Sequence, residues 1–275
     1  VNNTKISSSL WLTTLASGSS GNCIYIGSNN THLLIDTGVS RKKICEGLKK
    51  ADLSIGDINA VFLTHEHLDH IKGAGVLLRK DGIDFYGTDG TLNAMKSSSS
   101  VGEIPEGLLH AINKKEDLVV GDLIIRAFPI SHDAADPVAY SVSDGKAKIG
   151  VITDLGIYDD EIVEEMSGCR AFLAEANHDI KMLQVGPYPY ELKRRILSDH
   201  GHLSNESSGQ LISKILNDNV EGILLGHLSK DNNYDRLAYE TVKQEIDIAD
   251  NKYKSSDFRI AVAGREEPSF IIDIN

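Results

Sequence analysis

His65-Glu66-His67-Leu68-Asp69-His70 directly follows the short apolar run Ala60-Val61-Phe62-Leu63-Thr64. The run is rich in β-branched and aromatic residues, which predicts a buried strand. Leucines and isoleucines recur behind the six residues at roughly helical spacing, so we place them on a turn between a strand and a helix. Open α/β structures build ligand sites at such strand ends. Imidazoles and carboxylates bind zinc and similar divalent metals, so we prefer a metal site to a solvated, histidine-rich turn.

The composition is that of a globular protein, because 41% of the 275 residues are hydrophobic and 25% are charged. Cys23, Cys45 and Cys169 are too few and too far apart to imply a disulfide framework, which favours a reduced cytoplasm. No run approaches the roughly 18 apolar residues of a membrane helix, and residues 1–5 lack the apolar core of a signal peptide. We therefore expect a cytoplasmic protein without a membrane partner.

The net charge of −12 argues against a broadly basic surface for nucleic acid. It does not exclude a nucleic-acid substrate, because bound divalent metals supply local positive charge and a single basic loop supplies more. Composition alone leaves the substrate open.

Strands dominate the first half of the chain, and helices alternate with strands in the second half. No linker separates the halves, so the pattern predicts one domain over residues 1–275, with two packed sheets and helices outside. The predicted strands are 10–15, 23–26, 32–36, 60–64, 85–86, 118–120, 123–128, 138–142, 148–152, 171–175, 222–226, 258–263 and 270–274. The predicted helices are 41–50, 91–96, 159–166, most of 177–217 with breaks at 186–189 and 199–201, and 234–246.

Four predicted strands end in residue types that bind metals, namely those before His65, His132, Asp154 and His227. A site for two metals needs about six to seven nitrogen and oxygen ligands, one of them a bridging carboxylate. With the remaining residues of the opening cluster, the chain offers such a set: His65, His67 and His132 on one side, Asp69, His70 and His227 on the other, and Asp154 between them.

This ligand series resembles the motif series of the metallo-β-lactamase superfamily, and the resemblance spans essentially the whole chain. It implies an α+β fold, a four-layer αββα sandwich with metals at one edge between the sheets. It also implies two divalent metal ions. His65, His67 and His132 would hold the first metal, Asp69, His70 and His227 the second, and Asp154 would bridge them. The ligand types leave zinc, manganese and iron open.

Several segments narrow the resemblance. Asp154 stands where true β-lactamases of this fold commonly have cysteine, and other segments look like the YycJ (WalJ) subfamily, which is related to phosphodiesterases and tRNA 3′-processing enzymes. This implies a metal-dependent phosphodiester hydrolase, an exonuclease-like enzyme acting on DNA rather than RNA. The alternatives are a small-molecule phosphodiesterase or thioesterase, or a metal-containing binding protein without catalysis. The segments are Ser17-Gly18-Ser19-Ser20-Gly21-Asn22, Thr153-Asp154-Leu155-Gly156, Glu175-Ala176-Asn177-His178-Asp179 and Gly201-His202-Leu203-Ser204-Asn205.

The expected nucleophile is a water, or hydroxide, between the two metals, with Asp69 as a proton acceptor. The leaving oxygen then needs a proton donor. In the related RNA-processing enzymes, a histidine of a His-Ser/Thr motif and a glutamate share this task, and the matching positions here are His202 and Glu175. The competing interpretation is that His202 caps the helix beginning near Ser204.

Substrate contacts are predicted in three segments. Ser19, Ser20 and Asn22 either bind the scissile phosphate or support the metal ligands. Segment 188–195 couples two tyrosines with three basic residues, so Tyr188 and Arg194 suit base stacking and phosphate pairing, although a solvated helical face explains it almost as well. His178 either contacts substrate or makes a structural hydrogen bond.

Overall fold

The computed structural model describes residues 10–274, and these form fourteen strands and nine α-helices. The expectation for residues 1–5 lies outside the described residues. The strands are β1 (Leu10–Ala16), β2 (Cys23–Gly27), β3 (His32–Ile35), β4 (Ala60–Phe62), β5 (Asp84–Gly87), β6 (Leu109–Ala111), β7 (Asp117–Val120), β8 (Leu123–Pro129), β9 (Val138–Ser143), β10 (Lys148–Ile152), β11 (Ala171–Glu175), β12 (Gly222–Gly226), β13 (Ile260–Val262) and β14 (Ile272–Ile274). The helices are α1 (Arg41–Lys50), α2 (Leu68–Ile71), α3 (Ala74–Asp81), α4 (Asp89–Ser97), α5 (Asp160–Met166), α6 (Ile180–Val185), α7 (Tyr190–Ile196), α8 (Asn205–Ile215) and α9 (Asp235–Ile248).

The strands of residues 10–274 build two seven-stranded mixed sheets. The first has the order β14-β1-β2-β3-β4-β5-β6, with parallel pairing from β3 to β6. The second has the order β13-β12-β11-β10-β9-β8-β7, with parallel pairing from β10 to β13. Each sheet therefore combines an antiparallel part with a parallel part whose strands all end at the same edge.

The two sheets pack face to face and carry helices on their outer faces. Between them, buried side chains such as Ile24 and Phe62 of the first sheet meet Tyr140 and Leu173 of the second. A second core lies under α5, α8 and α9, and a third lies under α1, α3 and α4. This arrangement is the expected four-layer αββα sandwich. Within residues 10–274, no helix combines the length and apolar character needed to cross a membrane.

Local sequence signals were accurate where they depend on neighbouring residues. Ser40 caps α1, with its side chain accepting a hydrogen bond from the Lys43 amide at 3.3 Å. Gly145 adopts the left-handed φ of 84° in the turn between the antiparallel strands β9 and β10. Strand β6 was not predicted, because three partly exposed residues carry too little pattern.

Candidate metal centre

The opening cluster forms the turn from β4 into α2. His67 stands at the N-cap of α2, while His65 and His70 on either side of it are buried. His132 reaches the same place from the end of β8, and its ring centroid lies 4.9 Å from that of His65 and 5.0 Å from that of His67. One nitrogen of each of these three imidazoles lies within 4.8 Å of the others. The first predicted ligand group is therefore assembled.

Two of these imidazoles are in the neutral form that binds a cation. Burial, reinforced by the charge of His70, holds the pKa of His65 well below its usual range, so its ring is neutral with a free lone pair. Burial also lowers the pKa of His132. Nε2 of His65 is buried without a hydrogen-bond partner among residues 10–274. A buried polar atom without a partner is costly unless something binds it, and neutral imidazole nitrogens are good ligands for divalent metals.

The second predicted group lies beside the first. Oδ2 of Asp69 is 3.6 Å from Nε2 of His70 and 3.7 Å from Nε2 of His227, which follows β12. Asp154, which follows β10, lies between the groups. Its Oδ2 is 3.1 Å from Nε2 of His70 and 2.9 Å from Nδ1 of His227, and its Oδ1 is 3.7 Å from Nε2 of His132. All seven predicted ligands thus converge, and Asp154 has the central position expected of a bridging carboxylate.

Asp36 supports this arrangement, although it was not among the site residues predicted from the sequence. The carboxylate is fully buried and lies 2.7 Å from Nδ1 of His70. It also accepts hydrogen bonds from the amide and hydroxyl of Thr64, at 2.9 and 2.7 Å. By holding Nδ1–H of His70, it leaves Nε2 as the nitrogen for a metal. The signal in the sequence that could have identified Asp36 is a carboxylate at a strand end, directly before Thr37-Gly38.

The backbone is strained at this edge. Asp36, Asp154 and His227 have φ values of 61°, 59° and 54°, in the left-handed region that residues other than glycine rarely adopt. Each follows a buried strand and turns its side chain into the cluster. Such strain is typical of functional sites, where the surrounding structure enforces it.

His202, which is partly buried, and Glu175, which is fully buried, form a pair at the rim of the cluster. Nδ1 of His202 lies 2.7 Å from Oε1 of Glu175 and 3.6 Å from Oδ1 of Asp154. Burial lowers the pKa of His202, but the Glu175 carboxylate, its hydrogen bond and Asp154 outweigh burial and raise that pKa to about 9. Ser204, not His202, caps α8, since its hydroxyl accepts a hydrogen bond from the Ser207 amide at 3.1 Å. The helix-cap interpretation of His202 is therefore wrong.

The predicted substrate residues divide into surface and buried groups. Ser19, Ser20 and Arg194 are exposed, and Tyr188 is half-buried with its hydroxyl donating to Asp231 at 2.9 Å. Asn22 is fully buried, and its amide group lies 3.1 Å from Nε2 of His70.

His178 is also buried, only 1% exposed, and neither ring nitrogen has a hydrogen-bond partner within residues 10–274. Burial lowers the pKa of His178 to about 4, so the ring is neutral. In this structure His178 is therefore a neutral, buried imidazole within electrostatic range of Glu175 and His202.

Comparison with known proteins agrees with this geometry. A family model described as "Beta-lactamase superfamily domain" matches residues 31–222. A Bacillus anthracis protein named exodeoxyribonuclease YycJ is 40% identical over 86% of this chain and 89% of its own length. A Streptococcus pneumoniae protein named exodeoxyribonuclease WalJ is 39% identical over 86% of this chain and 88% of its own length.

Solved structures share the fold at low sequence identity. The metallo-β-lactamase fold protein YhfI from Bacillus subtilis has a TM-score of 0.70 at 16% identity, covering 97% of this chain and 99% of its own. The short form of human tRNase Z has a TM-score of 0.64 at 16% identity, covering 96% of this chain and 99% of its own. The fold implies binding of divalent metal, for which the His/Asp clusters are the candidate ligands. The family model and the two curated relatives show that the chain belongs to the metallo-β-lactamase superfamily, in the YycJ/WalJ-like subfamily.

Proposed function

We propose that this chain is a nuclease that hydrolyses phosphodiester bonds of DNA with the help of two divalent metal ions. The observation that carries the proposal is the His202–Glu175 pair beside the bridging position of Asp154, at 3.6 Å. Thioester hydrolysis releases a thiolate, which leaves without a proton donor, whereas phosphodiester cleavage releases an alkoxide and gains from a protonated imidazole. The names of the two curated relatives support DNA as the substrate.

The donor set fits two cations. His65, His67 and His132 would hold one, Asp69, His70 and His227 the other, and Asp154 would contact both. Nitrogen and carboxylate ligands of this kind accept zinc, manganese or iron. When bound, such ions lower the pKa of water and neutralise charge on a phosphoryl oxygen.

The side chains of the protein supply the proton transfers. Asp69 is the most exposed carboxylate of the cluster, at 27%, which supports its role as the acceptor of the attacking water's proton. Because Nδ1 of His202 is bound to Glu175, Nε2 is the nitrogen left to donate a proton to the leaving oxygen. Glu175 orients this imidazole and keeps it protonated, while its other oxygen accepts a hydrogen bond from the Leu155 amide at 2.8 Å.

The test is a cleavage assay with end-labelled DNA, end-labelled RNA and a small chromogenic phosphodiester, in the presence of zinc, manganese or iron. We expect cleavage of DNA with the preferred metal. Asp154→Ala should lose both bound metal, measured by elemental analysis, and nearly all activity. Hydrolysis of the small ester alone, with neither nucleic acid cleaved, would refute the nuclease proposal and leave a small-molecule phosphodiesterase.

A further inference from the structure

Helix α7 carries two consecutive arginines with different surroundings. The Arg194 side chain is 70% exposed, and its closest carboxylate is Glu191 of the same helix, at 3.9 Å. The Arg195 side chain is 47% exposed and turns toward the loop after β8. There Nη2 donates to Oδ1 of Asp133 at 2.9 Å, and Nε donates to Oδ2 of the same carboxylate. Arg195 thus presents the planar, two-donor face that matches carboxylates and phosphates.

Asp133 connects Arg195 to the metal centre. It follows the candidate ligand His132, and its Oδ1 lies 3.4 Å from Nε2 of that histidine. Its amide donates to the His200 carbonyl at 3.1 Å, which fixes the loop beside His202. The hydrogen bond to Asp133 is the main cause that raises the pKa of Arg195, and the carboxylates of Asp69 and Asp154 contribute to the same rise. The guanidinium is therefore within electrostatic range of Asp69 and Asp154.

A fixed positive charge at this position would favour binding of a polyanion. The chain has a net charge of −12, and carboxylates line the cluster, so a polyanion approaching it meets repulsion that bound metals only partly offset. Arginine remains protonated at all relevant pH values and binds phosphate through two parallel hydrogen bonds. The Arg195–Asp133 pair is partly exposed, so solvent and an incoming anion can reach the guanidinium. A phosphate offers the same two-acceptor geometry as the Asp133 carboxylate and can therefore compete with it.

We propose that Arg195, rather than Arg194, binds a backbone phosphate of the nucleic acid next to the cleaved bond, and that Asp133 holds the guanidinium in place until the phosphate replaces it. This inference rests on the proposed nuclease function. It assigns phosphate binding to one side chain of the basic segment 188–195. It also places the nucleic-acid strand on the His132 side of the metal centre.

Binding of DNA to the metal-loaded protein tests the inference directly. The probe is a single-stranded oligonucleotide with phosphorothioate linkages that resist cleavage, and its Kd is measured over a series of salt concentrations. Each lost phosphate contact on a single strand lowers the slope of log K against log salt by roughly 0.7. We expect that decrease in Arg195→Ala, together with a roughly ten-fold or larger rise in Kd. Arg194→Ala removes the same charge from the same helix and should change Kd much less. Arg195→Lys should restore the salt slope but only part of the affinity.

A scan with single neutral methylphosphonate linkages locates the contact. One position should weaken binding to the wild-type protein but not to Arg195→Ala, because the interaction lost is the same in both cases. Equal effects of Arg194→Ala and Arg195→Ala, or an unchanged salt slope in Arg195→Ala, would overturn the inference. An ion pair that only fastens α7 to the loop would lower the Tm of Arg195→Ala and Asp133→Ala alike without changing the salt slope, which would also overturn it.

The nuclease proposal and this inference fail in different ways. If the metal-loaded wild-type protein bound no oligonucleotide while hydrolysing a small phosphodiester, both would fall. If the wild-type protein and Arg195→Ala bound DNA with the same affinity and both cleaved it, only the assignment of Arg195 would fall.

Discussion

The Oε1 atom of Glu175 lies 2.7 Å from Nδ1 of His202, so the last residue of β11 controls the protonation of a histidine that the chain reaches 27 residues later. Glu175 is fully buried, and its other oxygen accepts hydrogen bonds from the amides of Leu155 and Leu203 at 2.8 and 3.4 Å. A buried carboxylate held at three points cannot move away from the imidazole. The fixed Glu175 carboxylate therefore keeps the His202 imidazole protonated beside Asp154.

The pH dependence of cleavage should report this pair. A general acid acts only while protonated, so the wild-type rate should fall as pH rises through about 9, the pKa of His202. Glu175→Gln keeps the shape and removes the charge, so burial then dominates and lowers the pKa of His202. The alkaline limb of the kcat profile should move to lower pH. Glu240→Gln, which changes an exposed glutamate, is the control, and an unmoved limb in Glu175→Gln would contradict the assignment.

Removal of the imidazole separates acid catalysis from metal binding. His202→Ala should lower kcat by roughly 10²–10⁴-fold, the usual contribution of a general acid, while metal content stays at the wild-type level. His110→Ala alters a histidine paired with Asp84 on the outer part of the first sheet and should leave the rate unchanged. Loss of metal from His202→Ala would show that His202 is a ligand rather than a proton donor.

The convergence of the candidate ligands could be predicted because four of them share one property that short patterns reveal. His65, His132, Asp154 and His227 each follow a buried apolar strand. Strand order was not needed, since strand ends that meet at one edge bring these residues together in any compatible order. The same local logic located the Ser40 helix cap and the Gly145 turn.

Other features depend on contacts between distant segments and could not be predicted from the sequence. Asn22 was expected near the substrate or the ligands, and only packing of its loop against His70 shows that it is buried. The choice between Arg194 and Arg195 depends on Asp133, which is 62 residues from Arg195 along the chain. By contrast, the predicted breaks at 186–189 and 199–201 are confirmed, because segment 177–217 divides there into α6, α7 and α8.

Asp36 should contribute to metal affinity without touching the metal. Asp36→Asn preserves the side-chain shape, and asparagine tolerates the left-handed φ of 61°. It removes the charge that orients His70, so metal affinity should fall roughly 10–100-fold, as for other groups that hold metal-binding histidines. Competition with a chelator measures this change. Asp52→Asn is a matched control, because Asp52 has a similar φ of 57° but is exposed and remote from the cluster. Equal affinities in the two variants would refute the role of Asp36.

Gly38 tests whether backbone packing holds Asp69. A Cβ at position 38 would lie 1.6 Å from the Asp69 carbonyl oxygen and 2.3 Å from its carbon. That oxygen already accepts a hydrogen bond from the Asn22 amide at 2.8 Å, and the Gly38 amide donates to the Asn22 carbonyl at 2.7 Å. All these groups belong to the backbone, so no side-chain rotation relieves the clash.

Gly38→Ala must therefore displace the start of α2, and with it both Asp69 and His70. We expect metal content to fall sharply and unfolding free energy to decrease by about 1–3 kcal/mol, the usual cost of overpacking. Elemental analysis and denaturant unfolding measure the two effects. Gly56→Ala is the control, because the nearest atom to its Cβ would be Oγ of Ser54 at 3.6 Å. If Gly38→Ala retained wild-type metal content, the position of Asp69 would not depend on the close backbone contact with Gly38. The backbone hydrogen bonds that join Gly38, Asn22 and Asp69 would then not be what holds the second ligand group in place.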